Sequence, residues 1–494
     1  MKTHGERTLK LGVLISAMTL VACGEQAQEP VAQEATAQQA SEPSAFTPSE
    51  LKQREIGRRA IETVIWAMPA VNYDRMYVAG LEAGAEANDI VYWSRPISWL
   101  NQTRTPNPNT IYVMPFIDTT DVGPMVLEMP PAEGGGIVGT IMDVWQMPIE
   151  DVGIAGVDKG QGGKYLILPP DYEGSVPDGY IPMPSKTYQT WGLLRSTIES
   201  DDDAGIAKSA EYARQVKLYP LSEAANPPAT TFVDAIDVLY DGNIPYDLRF
   251  FESVNRIVQT QPWLERDKAM IDTLKSIGIE KGKPFSPDEQ MKQILSASIA
   301  EAKAWIDVEY VAAYANPFNE GTHWAMPFIP EFVPEAQAEY ANPDSYSLDA
   351  RGVLYTFVFF TPKRLGEAGS GSFYFFAIHD SDGMDLDGNN TYRLRVPPNV
   401  PASLFWSVVA YDRETHGLIK DMSHPTRASN TPGLVMNEDG SVDIWFAPEA
   451  PEGKESNWIP TKAGGRFELV FRFFGPEPPI FEKTWVLPDL EQMN

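Results

Sequence analysis

The chain of 494 residues contains one cysteine, at position 23, and five histidines. A single thiol excludes any disulfide within the chain, so stability must come from packing. The histidines form no HExxH and no pair at helical spacing, and no cysteine cluster can assist them, so no metal motif is present. GxSxG and P-loop sequences are missing as well, which disfavours an α/β-hydrolase elbow and a Walker-type nucleotide site. No motif implies a cofactor, and its identity stays unknown. Basic residues are few, 39 against 68 acidic. Such a field repels nucleic acid and anionic headgroups.

What the sequence does have begins at the N-terminus. Lys2, Arg7 and Lys10 precede an apolar run from Leu11 to Ala22, which ends in Leu20-Val21-Ala22-Cys23-Gly24. A basic start, a short apolar run and small residues before the cut describe a signal peptide too short to span a bilayer. The cysteine at the cut makes it a lipoprotein signal, with Cys23 as the lipidated residue. Gly24 is not the Asp that retains lipoproteins at the inner membrane, so the expected location is the cell envelope, at the outer membrane. Removing residues 1–22 takes three basic residues and one acid from the totals and leaves a net charge of −31. Residues 23–50, rich in Gln, Glu, Ala, Pro and Ser, read as a disordered acidic tether.

The remaining chain predicts an α+β protein, mostly β. Two β-sandwich or jelly-roll-like domains are bridged by a helical segment, with an amphipathic helix in front. Residues 51–220 hold that helix and the first β domain, 221–350 the helical connection and 351–494 the second β domain. Leu51 to Ala67 carries apolar residues at helical spacing, and Pro69 should end it. Ile111–Met114, Met125–Met129, Ile137–Met147 and Lys164–Leu168 read as strands between Pro and Gly clusters. Helices are expected near 205–217, 246–259, 266–277 and 287–314, the last with Ser286 as its N-cap. Beyond Gly352 the aromatic and β-branched runs read as strands, starting with Val353–Phe360.

Two motif matches have bland readings. Gly134-Gly-Gly136-Ile-Val-Gly139 matches a dinucleotide fingerprint, but a strand follows it where a helix is required, so a hairpin turn is expected. Asp380 to Gly388 has the wrong spacing and flanks for an EF-hand and reads as an acidic turn; whether it holds a cation stays open. Charged residues on apolar strand faces carry more information. Asp143 shares a face with Ile137, Ile141, Trp145 and Met147, and Arg472 shares one with Val470 and Phe474. Such charges need partners, either structural or in a pocket. The stretch Asn101-Gln-Thr-Arg-Thr-Pro-Asn-Pro-Asn-Thr-Ile-Tyr112 sets amides, hydroxyls and an arginine on a proline-stiffened loop. It suits an oxygen-rich ligand, unless its side chains cap their own backbone.

These stretches also carry a resemblance. Thr105-Pro-Asn-Pro-Asn-Thr-Ile-Tyr112, Asp143-Val-Trp145, Gly163-Lys-Tyr-Leu-Ile-Leu168 and Trp191-Gly-Leu-Leu-Arg195 resemble the domain of unknown function 1254. Asp387-Gly-Asn-Asn-Thr-Tyr-Arg-Leu394, Phe405-Trp-Ser407, Tyr411-Asp412, Asn457-Trp458 and Phe474-Gly-Pro476 resemble its partner, the domain of unknown function 1214. Gly278-Ile-Glu-Lys-Gly-Lys-Pro-Phe285 between them matches too. The resemblance implies two β-rich domains joined by helices in an exported bacterial protein, and no reaction.

Two functional classes follow. The first is a hydrolase-like envelope enzyme for a small oxygen-rich or anionic substrate. Asp143 would be its acid or base, and Arg104, Asn107, Asn109, Tyr112, Trp145 and Arg195 would bind substrate. The second is a non-catalytic binding or scaffold lipoprotein. Expected partners are a small-molecule ligand and the membrane through Cys23, not nucleic acid; self-association is left open.

Overall fold

The structure is a computed structural model and describes residues 46–200, 202–326, 335, 342, 345–364 and 372–493. The expected signal segment, Cys23 and nearly all of the expected tether lie outside these residues.

Helix α1 (Pro48–Glu82) does not stop at Pro69. Proline lacks the N–H that would bond the carbonyl of Ile65. Gly352 packs against that carbonyl so closely that a Cβ there would lie 2.8 Å from it. All residues from Thr63 to Asp74 are buried, so tertiary packing carries the helix through the proline.

The first β region follows. Its strands are β1 (Ile90–Tyr92), β2 (Thr110–Asp118), β3 (Met125–Met129), β4 (Ile137–Asp143), β5 (Pro148–Gly153), β6 (Gly163–Leu168), β7 (Tyr180–Pro184) and β8 (Gln189–Thr197). Helix α2 (Asp203–Ala213), β9 (Lys217–Pro220) and β10 (Phe232–Asp234) complete it. They form a six-stranded sheet, β10-β1-β2-β8-β4-β5, and a four-stranded sheet, β7-β6-β3-β9. Ile111, Ile141 and Leu194 of the larger sheet share one core with Leu127, Tyr165 and Ile167 of the smaller. The alternate residues of β2 and β8, among them Tyr112, Met114, Phe116 and Trp191, join a second core with the helices. The expected strand Ile137–Met147 is in fact a hairpin that turns after Asp143. The glycine triplet before β4 is a turn; a Cβ on Gly135 would strike the Tyr212 ring at 2.5 Å.

The connection contains α3 (Leu248–Thr260), α4 (Lys268–Leu274), α5 (Glu289–Ala312) and α6 (Leu348–Phe357). Asp288, not Ser286, caps α5, accepting the Met291 N–H at 2.8 Å. Helix α6 replaces the expected strand at Val353. All of its residues from Arg351 to Phe357 are buried, so its aromatic and branched content reflects burial on every side rather than alternation across a sheet.

The second β region has β11 (Ser372–Ala377), β12 (Thr391–Val396), β13 (Ala402–Asp412), β14 (Thr426–Ala428), β15 (Val442–Ala447), β16 (Trp458–Pro460), β17 (Phe467–Pro476), the short helix α7 (Pro478–Phe481) and β18 (Glu491–Met493). Its sheets are β11-β17-β13-β14 and β16-β15-β12-β18. Phe375, Val408 and Phe471 of one meet Leu394, Ile444 and Phe446 of the other. The opposite face of the first sheet places Phe376, Val409 and Val470 in the same core as the helices and the first β region. The protein is therefore α+β and mostly β, with both β regions and the helices sharing one apolar centre.

Among the described residues no helix is long and apolar enough to cross a membrane, and no group of three or more acidic or histidine side chains is placed to hold a metal ion. In the acidic turn, Asp380 accepts the N–H groups of Asp382 and Met384 at 3.0 and 2.9 Å.

Candidate functional site

The two β regions meet around a cavity of about 210 Å³. Each contributes a cross-strand tyrosine–arginine pair to its wall. Tyr112 on β2 stands opposite Arg195 on β8, and Tyr374 on β11 stands opposite Arg472 on β17. Cross-strand neighbours lie close enough for their side chains to interact. Contacts also run between the regions. Arg195 Nη1 donates to the Tyr374 hydroxyl at 3.2 Å, and Arg472 Nη2 donates to the Thr105 carbonyl at 2.8 Å. Arg472 Nη2 also donates to the Tyr411 hydroxyl at 2.6 Å, and Tyr411 donates to the Pro106 carbonyl at 2.6 Å.

Much of the remaining wall is apolar, with Val138, Leu354, Phe359, Phe360 and Phe373 among its residues. The Arg195 guanidinium lies over the Phe360 ring at 4.8 Å, and that of Arg472 lies over the Tyr374 ring at 5.5 Å.

The arginines have no carboxylate partner among the described residues. Asp151 is a carboxylate in the wall, but its oxygens are already engaged. One accepts from the Thr140 hydroxyl and the Lys363 N–H, the other from the Arg364 N–H and guanidinium. Arg364 is also paired with Glu150 at 2.5 Å. Three buried donors in the wall lack any partner among the described residues: Arg195 Nε, Arg472 Nη1 and Asn107 Nδ2. Arg472 and Asn107 are only 4% and 3% exposed. Buried donors without partners cost free energy, and an unpaired buried cation costs more.

The electrostatics follow from this arrangement. Burial would weaken the Arg195 cation, but the Tyr374 and Tyr112 phenols and the hydrogen bond to Tyr374 raise its pKa instead. Burial would likewise raise Tyr374. The Arg195 and Arg472 charges, with hydrogen bonds to Arg195 and Ser372, outweigh it and hold the phenol below its ordinary value. Tyr112 is shifted up by burial, only partly offset by Arg195, its Asn107 hydrogen bond and Arg472.

Of the residues singled out from sequence, Asn107, Tyr112 and Arg195 line the cavity, and Asn109, Trp145, Arg104 and Asp143 do not. The expectation that Asp143 and Arg104 share a cavity needs correction. Asp143 closes its own hairpin, where one carboxylate oxygen accepts the Trp145 and Met147 N–H groups at 2.8 and 3.0 Å. Burial raises its pKa, against the opposing pull of Arg266, these two bonds and Arg351. Arg104 points to a different turn, donating to the Gly242 carbonyl at 2.9 Å and the Asn243 side chain at 3.2 Å. Burial lowers its pKa to about 10. Trp145 packs on Trp66 at 4.7 Å between ring centroids. Asn109 accepts from the Thr426 hydroxyl at 3.1 Å.

The loop 101–112 is a seam between the β regions rather than a displayed surface. Thr105 donates its N–H to the His416 carbonyl and its hydroxyl to the Phe357 carbonyl, and Asn107 accepts the Asn109 N–H. Arg472 carried a sequence signal, a charge on an apolar strand face. Tyr374 carried a weaker one, a single hydroxyl within Ser-Phe-Tyr-Phe-Phe-Ala377.

Comparison with known proteins agrees with this layout. Residues 87–220 match the family described as "Protein of unknown function (DUF1254)", and residues 371–478 match "Protein of unknown function (DUF1214)". The chain thus carries both domains, one in each half. A crystal structure of a Vibrio parahaemolyticus protein is similar over 89% of this chain and 100% of its own, with a TM-score of 0.53 and 18% identity, a likeness of fold. A protein from Burkholderia cenocepacia aligns over 90% of this chain and 94% of its own, with a TM-score of 0.38 and 12% identity. None of the curated proteins matches the sequence.

Proposed function

We propose that this protein is a lipid-anchored envelope protein that binds a small carboxylate with an apolar body in the cavity between its two β regions. One observation carries the reading: Arg195 and Arg472, from different regions, reach one cavity with donors unused and no free carboxylate among the described residues. A guanidinium presents a planar fork that matches a carboxylate, and both guanidiniums belong to the cavity wall. The aromatic and aliphatic wall suits the rest of the ligand. The lipid anchor rests on the sequence around Cys23.

Calorimetric titration with benzoate, against neutral benzamide, tests the binding reading. Benzoate should bind at least tenfold more tightly. Arg195→Gln should lose roughly 10- to 150-fold, since hydrogen bonds to charged groups are worth about 1.5–3 kcal/mol. Equal binding of the two compounds, or of neither, counts against it.

A catalytic reading has support in Tyr374, whose phenol is eased toward ionisation inside the cavity. The hydrolase-like reading, one of the two the sequence leaves open, would need another acid or base in this cavity, since Asp143 lies outside its wall with one carboxylate oxygen engaged in its own turn.

A further inference from the structure

Two guanidiniums in a largely apolar wall raise the question of what neutralises them when no ligand is present. Among the described residues, few charged or titratable groups face Tyr374. Arg195 comes from β8, Arg472 from β17, Tyr112 from β2, and Ser372 lies on its own strand. Asp151 of β5 is the carboxylate among the described wall residues, and Thr140, Lys363 and Arg364 already hold it. The phenol oxygen of Tyr374 is bonded to Arg195 at 3.2 Å, and the Tyr374 ring lies under the Arg472 cation.

We propose that Tyr374 is the built-in counter-ion of this site, and that its phenolate and a ligand carboxylate compete for the same two arginines. The proposal rests on the binding reading above and adds how that binding is regulated. A carboxylate entering beside Tyr374 brings a second negative charge against the first. The phenolate then takes a proton from water, and the neutral hydroxyl remains as a hydrogen-bond donor. When Tyr374 is ionised, binding therefore takes up one proton. The pH dependence of affinity and the ligand dependence of Tyr374 ionisation are two faces of one coupling. The depressed Tyr374 pKa agrees with the geometry.

The test is a difference titration of phenolate absorbance, wild type minus Tyr374→Phe, on the full-length protein with and without saturating benzoate. Without benzoate, Tyr374 should titrate below the usual tyrosine value of about 10. Arg195→Gln should raise that midpoint in a folded chain, which keeps the test decisive if Tyr374→Phe does not fold. With benzoate the midpoint should rise by at least one unit. Between the ligand-free and ligand-bound midpoints, benzoate affinity should fall by up to tenfold per pH unit in wild type and stay flat in Tyr374→Phe. A ligand-free midpoint at or above the usual value overturns the proposal. So does benzoate binding that leaves the midpoint in place, or an Arg195→Gln midpoint equal to wild type. If benzoate fails to bind but Tyr374 titrates low, the counter-ion role stands and the binding reading falls.

Discussion

Arg195 of the first β region donates a hydrogen bond to Tyr374 of the second, at 3.2 Å. The bond spans 179 positions in sequence, and the Arg472–Thr105 bond spans 367. Contacts of this kind lock the two regions in register around the cavity. They sit beside a shared apolar core, in which Tyr112, Phe376 and Val470 meet the helices.

The two regions should therefore unfold together. Neither can keep its inner face dry without the other, so scanning calorimetry should give one cooperative transition with equal calorimetric and van't Hoff enthalpies. Two resolved transitions would contradict a shared core.

Asp143 offers a separate check on the split between structure and site. In Asp143→Asn the amide oxygen can still accept both N–H groups, so the expected loss is about 1 kcal/mol, whereas Asp143→Ala strands two buried donors at roughly 1–3 kcal/mol each. The sign of the pH effect follows from its raised pKa. The folded state holds this proton more tightly than the unfolded state. The contribution is full below the unfolded value and disappears as pH rises through the raised folded value. The stability difference between wild type and Asp143→Asn should decline with pH across that window. A flat difference would mean that Asp143 ionises normally.

Local pattern made about half of the described strands legible. Thr391–Val396 and Met125–Met129 alternate or run apolar between turn signals, and the structure has strands there. The departures have two causes. At Pro69 and Val353–Phe357 local propensity points away from helix, and packing on all sides overrides it. Asp143 does end β4, but the strand does not run on to Trp145 and Met147, because nothing local reveals that a turn begins there. The site was half legible. Arg195 and Tyr112 belong to motifs in one half of the chain, but Tyr374 becomes meaningful only when β11 is laid against β8, a relation with no local signal.

Lipidation is tested apart from the fold. Cys23→Ser should abolish fatty-acid labelling and move the protein from the membrane to the soluble fraction. Persistent membrane association of the variant would mean that something other than Cys23 anchors it.

Arg104 provides the sharpest contrast with Arg195. Both are arginines of the first β region, and the sequence marks both as ligand-binding candidates. Arg104 spends its donors on the Gly242 carbonyl, the Asn243 side chain and, at 3.4 Å, the Gln102 carbonyl. It lies outside the cavity wall, and burial is what pulls its pKa down to about 10. Its work is to fasten the loop 101–112 to the turn at 242–243. Arg104→Met keeps much of the side-chain volume and removes those bonds, leaving buried acceptors unsatisfied. Stability should fall by about 2–4 kcal/mol. Benzoate affinity, measured well below the melting temperature, should stay within twofold of wild type, whereas Arg195→Gln should lose affinity at little cost in stability. If Arg104→Met loses benzoate binding while remaining folded, the loop itself reaches the ligand, and the cavity assigned here is too small.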